Sequence, residues 1–210
     1  VQVARLTDLF DYKFDECFDD YGELQKIEVQ KTDTILTKDE LDKNIHWISP
    51  DAKFEGDSEV DYTQAFNSIP LRSDIKDKAN SLQTTKNVIG LHIRGGDLKT
   101  ANNHVDDPRF VSKKTMDKLL KKIEIILSTN KNQKFFVSCE DYCDKYIIEK
   151  KFSGNVMFLD CERSRCSVLG IQHAIAELVI LSRCSMIIGN ISSSFAGVAA
   201  RVGRIKYEIL

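Results

Sequence analysis

The chain lacks a charge of one sign. Its 30 basic and 32 acidic residues leave a formal net charge of −2 at pH 7, so no overall field argues for nucleic acid as a partner. No apolar run reaches transmembrane length, and the first residues do not read as a secretory signal. The chain begins at Val1 rather than Met. It therefore reads as a processed product or an excised domain, from which an anchor or targeting segment could have been removed. Paired C-x-x-C knuckles are missing too: Cys17, Cys139, Cys143, Cys161, Cys166 and Cys184 are not spaced for structural zinc. No metal is expected. Free thiols in a reducing cytosol are the favoured reading. Cys139 with Cys143, or Cys161 with Cys166, are the pairs open to an oxidising compartment such as the ER or Golgi lumen. Internal repeats and low-complexity tracts are absent as well.

What is present is a regular alternation of strand and helix signals over residues 88–210. Strands are expected at 88–93, 134–138, 155–159, 186–189 and 205–208, each a short apolar run. Between them lie helix patterns. Met116, Leu119, Leu120, Ile123, Ile126 and Leu127 share one helical face, with most of the neighbouring lysines elsewhere. Residues 141–150 read as a short helix, 169–183 as a strongly apolar one, and 193–201 as one entered through serines able to cap it. Repeated strand–helix–strand units imply an α/β fold, a Rossmann-like parallel sheet flanked by helices. Its strands' carboxyl ends share one edge, where ligands bind. Residues 1–87 differ. They are acidic and poor in long apolar runs, with an apolar entry segment at 6–18 and helix patterns at 37–47 and 73–82. They read as a reduced or partial acceptor-side region, and 88–210 as the ligand-binding domain.

Two segments carry chemistry. The first runs Val88, Ile89, Gly90, Leu91, His92, Ile93, Arg94, Gly95, Gly96, Asp97. An apolar run that ends in His, Arg, two glycines and Asp suits a buried strand opening into an anion site. Arg offers a planar fork matched to phosphate oxygens, and glycine lets the backbone approach a ligand. The plainer alternative is a strand and glycine turn, with Arg94 and Asp97 as an ordinary ion pair. The second segment runs from Glu177 through an apolar strand to Gly189, Asn190, Ile191, Ser192, Ser193, Ser194 and Phe195. Free N–H groups at a helix start attract anions, and serine hydroxyls add donors. In one parallel sheet, Arg94 and Ser192 to Ser194 would face a common crevice suited to a diphosphate. Simple helix capping by Ser192 or Ser193 is the alternative. The sequon Asn190, Ile191, Ser192 lies at this expected site, where a glycan would be hard to seat.

His92-x-Arg94-x-Gly96-Asp97 resembles the first motif of the fucosyltransferase superfamily that includes α1,2-, α1,6- and protein O-fucosyltransferases. The stretch from Glu177 to Phe195 resembles the superfamily's later motif: an acidic residue, an apolar helix, a strand and a serine pair. Residues Leu6, Thr7, Asp8, Leu9, Phe10 and Asp11 are similar to an upstream segment of the protein O-fucosyltransferases. The resemblance covers about residues 88–210. It implies the carboxyl-terminal half of a GT-B glycosyltransferase, with GDP-fucose as donor, a glycan or protein hydroxyl as acceptor, inversion at the sugar and no divalent metal. It implies that Arg94 binds the β-phosphate, that His92 and Glu177 hold the guanosine, and that Ser192 and Ser193 bind phosphate. Asn190, Ser194, Gly95 and Gly96 complete the expected donor site. Two positions depart from the pattern. Gly95 stands where many members have a second Arg, and Glu177 where Asp is usual.

A departing GDP gains negative charge that fixed donors must stabilise. The acceptor hydroxyl needs a base. The loop 98–109 holds His104, Asp106 and Asp107, and Asp106 or Asp107 is the candidate base. A turn and helix entry is the other reading of Asp106, Asp107 and Pro108. Asp97 is expected to orient Arg94 or the loop. The plain alternative for Glu177 is an exposed helix residue near His173, one turn earlier. Three other readings stay open: a transferase using a different nucleotide sugar, a non-catalytic nucleotide- or glycan-binding domain, and a plain α/β interaction domain whose His-Arg-Asp cluster is structural.

Overall fold

The computed structural model describes residues 62–82, 87–94, 113–164, 167–189 and 193–210. The expected elements at 6–18 and 37–47 lie outside these residues. So do Gly95, Gly96, Asp97, Asp106, Asp107, Asn190, Ser192, Cys17 and Cys166.

Two short helices, α1 (Tyr62–Ser68) and α2 (Ser73–Asn80), precede strand β1 (Val88–Ile93). Then follow α3 (Lys113–Thr129), β2 (Lys134–Cys139), α4 (Tyr142–Lys151), β3 (Val156–Met157), α5 (Val168–Ser182), β4 (Met186–Gly189), α6 (Ser194–Gly203) and β5 (Lys206–Ile209). The strands form one sheet in the order β3-β2-β1-β4-β5, and every pairing is parallel. This is the expected doubly wound α/β arrangement. Its strand order reverses between β1 and β4, the position where such sheets open a ligand crevice. No described helix is long and apolar enough to cross a membrane.

All six residues of β1 are buried. Alternation then sends successive side chains to opposite layers. Ile89, Leu91 and Ile93 pack with Phe135 and Val137 of β2 against Met116, Leu119 and Ile123 of α3 and Ile148 of α4. Val88, Phe136 and Ile187 face the other way, onto α5 and α6. Leu71, Ile75 and Ala79 of the α2 region join that second layer. Phe135 and Phe136 are fully buried on opposite faces, each contributing roughly 1.5–3 kcal/mol by leaving water. Gly90 is a glycine because α5 crosses close above it: a Cβ there would lie 2.8 Å from Leu181 Cδ2.

The caps follow the sequence. Asp141 accepts from the Cys143 and Asp144 amides to start α4, and Ser167 accepts from Gly170 N to start α5. The third strand is shorter than its apolar pattern suggests. Only Val156 and Met157 pair with β2. Leu159 leaves the ladder and is buried against the α5 layer instead, so its apolar character serves packing rather than pairing. Cys139, Cys143, Cys161 and Cys184 are free thiols.

The two ends of α6 call for opposite glycine replacements. A Cβ at Gly197 meets nothing within 4 Å, whereas one at Gly203 would lie 2.1 Å from the Ser182 carbonyl oxygen. Gly197→Ala should stabilise by about 0.5–1 kcal/mol. Gly203→Ala should destabilise by about 1–3 kcal/mol, because backbone must move. Urea denaturation of both variants measures the contrast.

Candidate functional site

His92 and Ser138 are register partners on β1 and β2, so both side chains stand on the face covered by α5. The His92 ring Nδ1 lies 3.3 Å from Ser138 Oγ. Ser138 donates to Glu177 Oε2 of α5 at 2.8 Å. The other carboxylate oxygen, Oε1, accepts the Cys161 thiol at 3.6 Å and lies 3.6 Å from Arg163 Nη1. Arg163 also donates to the Cys139 carbonyl, and its guanidinium stands 5.9 Å from the centre of the Tyr142 ring. Phe195, at the start of α6, stacks on the His92 ring with centroids 5.0 Å apart. Four segments, β1, β2, residues 161–163 and α5, are thus joined through one polar chain.

This chain forms the floor of a crevice of about 330 Å³ at the carboxyl edge of the sheet, a size within the range of small-ligand sites. Its walls bring together His92, Arg94, Glu177, Ser193 and Ser194, all named from the sequence, with Ser138, Arg163 and Phe195. Ser193 caps α6, its Oγ accepting from Ala196 N at 3.3 Å. The capping reading therefore holds for Ser193, and its hydroxyl proton stays available to a ligand oxygen. Ser194 and Phe195, in the first turn of α6, line the same space, where a helix start favours negative charge. Residues 161–164 form the far wall. They are pressed onto α5, since a Cβ at Gly170 would lie 1.8 Å from Ser164 O.

Glu177 is not the exposed helix residue that its surroundings in sequence allowed. It is buried, and its partners are Ser138, Cys161 and Arg163 rather than His173. His173 Nδ1 instead accepts from the Glu162 amide at 2.8 Å. The reason is their position along α5: Glu177 lies over Ser138 of the sheet, and His173, one turn earlier, lies beside Glu162.

Burial pushes the Glu177 carboxyl above its ordinary value, while Arg163 and the hydrogen bonds from Ser138 and Cys161 oppose the rise. The Cys161 thiol is pushed up to about 11 by burial and then by the Glu177 charge, so it is not a nucleophile at neutral pH. Burial lowers the His173 imidazole, in keeping with a neutral ring whose Nδ1 accepts.

Sequence reasoning passed over Ser138, Arg163 and Phe195. Ser138 left a trace: it is a polar residue directly after the apolar run Phe135, Phe136, Val137. Arg163 left none, because nothing local ties residue 163 to residue 177.

The strand order and the crevice define a Rossmann-like α/β domain with its candidate site at the topological switch point. Solved structures similar to this chain include fucosyltransferases. One is NodZ α1,6-fucosyltransferase from Bradyrhizobium, in crystals soaked with GDP-fucose: 18% identity, TM-score 0.49, covering 65% of this chain and 44% of that one. Arabidopsis thaliana FUT1, as the R284K mutant with GDP, is 16% identical with a TM-score of 0.46, covering 68% and 33%. POFUT1 in complex with GDP is 14% identical with a TM-score of 0.42, covering 67% and 48%. The match therefore spans less than half the length of each of these structures. No protein-family profile and no curated protein sequence matches the chain.

The raised Glu177 value has a signed consequence. Below its ordinary value of 4.5 the carboxyl is protonated in both states and contributes no pH slope. As pH rises above that, the unfolded chain releases the proton first, and stability falls until the folded carboxyl has titrated. Glu177→Gln should flatten this decline. Urea midpoints collected from pH 4 to 8 test the slope, whatever constant offset the loss of Arg163's partner adds.

Proposed function

We propose that residues 88–210 form the nucleotide-sugar-binding domain of an inverting glycosyltransferase of GT-B type, with GDP-fucose as donor and a glycan or protein hydroxyl as acceptor. Residues 1–87 then belong to the acceptor side. One observation carries the reading. A single crevice gathers a strand-end arginine, a helix N-terminus with two serines, and a buried His and Glu. Those are the needs of a nucleoside diphosphate: donors for the phosphates at one end, and paired polar groups for the nucleoside at the other.

In this reading Arg94 binds the β-phosphate as charge develops on the leaving GDP. The amides at the start of α6 and the hydroxyls of Ser193 and Ser194 add to the same field. Asn190 and Ser192 extend that contact, and Gly95 and Gly96 let the backbone come close. His92 and Glu177 face the guanosine. Asp97 orients Arg94, and Asp106 or Asp107 accepts the acceptor's proton. The positive end of the site is built from arginine and backbone dipoles, so the reaction needs no divalent metal.

Calorimetry with GDP and a transfer assay with GDP-fucose test the reading together. Arg94→Ala should weaken GDP binding by roughly 1.5–3 kcal/mol for each charged hydrogen bond lost and should abolish transfer, with the fold intact. Unchanged GDP affinity would remove Arg94 from the site. Chelation of divalent metals should leave the transfer rate unaltered. GDP binding without transfer to any acceptor would point to a binding domain instead.

A further inference from the structure

We propose that Ser138 is the positioning residue that holds His92 as its Nδ1-protonated tautomer, so that Nε2 can only accept a hydrogen bond and the ring suits an N–H or O–H of a bound ligand rather than an acceptor. The inference rests on the donor-site reading for its ligand, but not for its hydrogen-bond logic. A carboxylate only accepts. The Glu177 carboxylate is held in that role from its far side, where Oε1 faces the Arg163 guanidinium and the Cys161 thiol. The one proton of the Ser138 hydroxyl is therefore given to Glu177 Oε2, at 2.8 Å. Toward His92 the hydroxyl has only lone pairs left. The contact of 3.3 Å between Ser138 Oγ and His92 Nδ1 then requires the proton to sit on Nδ1. A neutral imidazole carries one N–H, so Nε2 must accept.

Ser138 is 2% exposed and stands one residue before the end of β2, after three buried apolar residues. A buried hydroxyl there costs stability unless it is hydrogen-bonded. The bridge between His92 and Glu177 satisfies it. Phe195 fixes the plane of the imidazole by stacking at 29°, and Ser138 fixes which edge bears the proton. The chemical result is polarity along the crevice. Arg94 and the start of α6 select ligand oxygens. His92 selects a donor edge, such as a ring N–H or a sugar hydroxyl, and rejects a carbonyl in the same place.

The test is nitrogen-detected NMR of the full chain at pH 8 with ¹⁵N-labelled histidine. There are only four histidines, His46, His92, His104 and His173, assigned by single replacements. The wild type should show His92 protonated at Nδ1 and bare at Nε2. Ser138→Ala should shift His92 toward the other tautomer and weaken GDP binding by about tenfold. Ser138→Thr, which keeps the hydroxyl, should restore both. An Nε2-protonated His92 in the wild type overturns the inference, as does an unchanged tautomer in a folded Ser138→Ala. The wild-type spectrum needs neither a variant nor a ligand. It decides the inference even if Ser138→Ala fails to fold. If the wild type binds no GDP, the donor-site reading falls while the tautomer result stands on its own.

Discussion

The parallel register of β1 against β2 and β4 governs the rest of this domain. It puts His92 opposite Ser138 on one side and opposite Gly189 on the other. Because side chains alternate along a strand, the same register sends Ile89, Leu91 and Ile93 into the α3 layer. It leaves Gly90 and His92 under α5. A slip of one residue would exchange the two sets and place imidazole in the apolar layer. The core and the polar chain of the crevice are therefore specified by one alignment.

The electrostatics follow from that placement. Arg163 and Glu177 are both deeply buried, with side chains 8% and 10% exposed. Removing one partner of such a pair typically costs about 3–5 kcal/mol, yet a well-packed apolar substitute is often no worse for stability. Stability alone is thus a weak reason to keep the pair. Both Glu177 oxygens are partnered, by Ser138 and by Cys161, and Arg163 Nη1 donates to the Cys139 carbonyl. The result is a rigid floor beneath a crevice that must present defined donors and acceptors.

Close contacts at two glycines hold the walls. Residues 161–164 rest on the first turn of α5 at Gly170, and α5 rests on the sheet at Gly90. Ser167 ties the two together: its Oγ caps α5 through Gly170 N and donates to Glu162 Oε1. The far wall of the crevice is consequently anchored to the start of α5 by backbone packing and a side-chain hydrogen bond, although it has no regular secondary structure.

Much of the architecture was legible before any coordinates. The apolar runs placed every strand, and serines marked the start of α6, because pattern and capping are local properties. His92, Arg94, Glu177, Ser193 and Ser194 were legible as site candidates for the same reason: each stands at a strand end, a helix start or within a short motif. The length of the third strand was not. Leu159 looks like strand in sequence, and only the position of α5 makes it core. Ser138 and Arg163 were equally hidden, as their partners lie 39 and 14 residues away in the chain and meet them only across the sheet. By itself the sequence determined the elements, their parallel order and the kinds of polar group at their ends. The tertiary structure alone decided which of those groups touch, and therefore which proton sits between them. Hydrogen-bond direction depends on partners that local pattern does not contain.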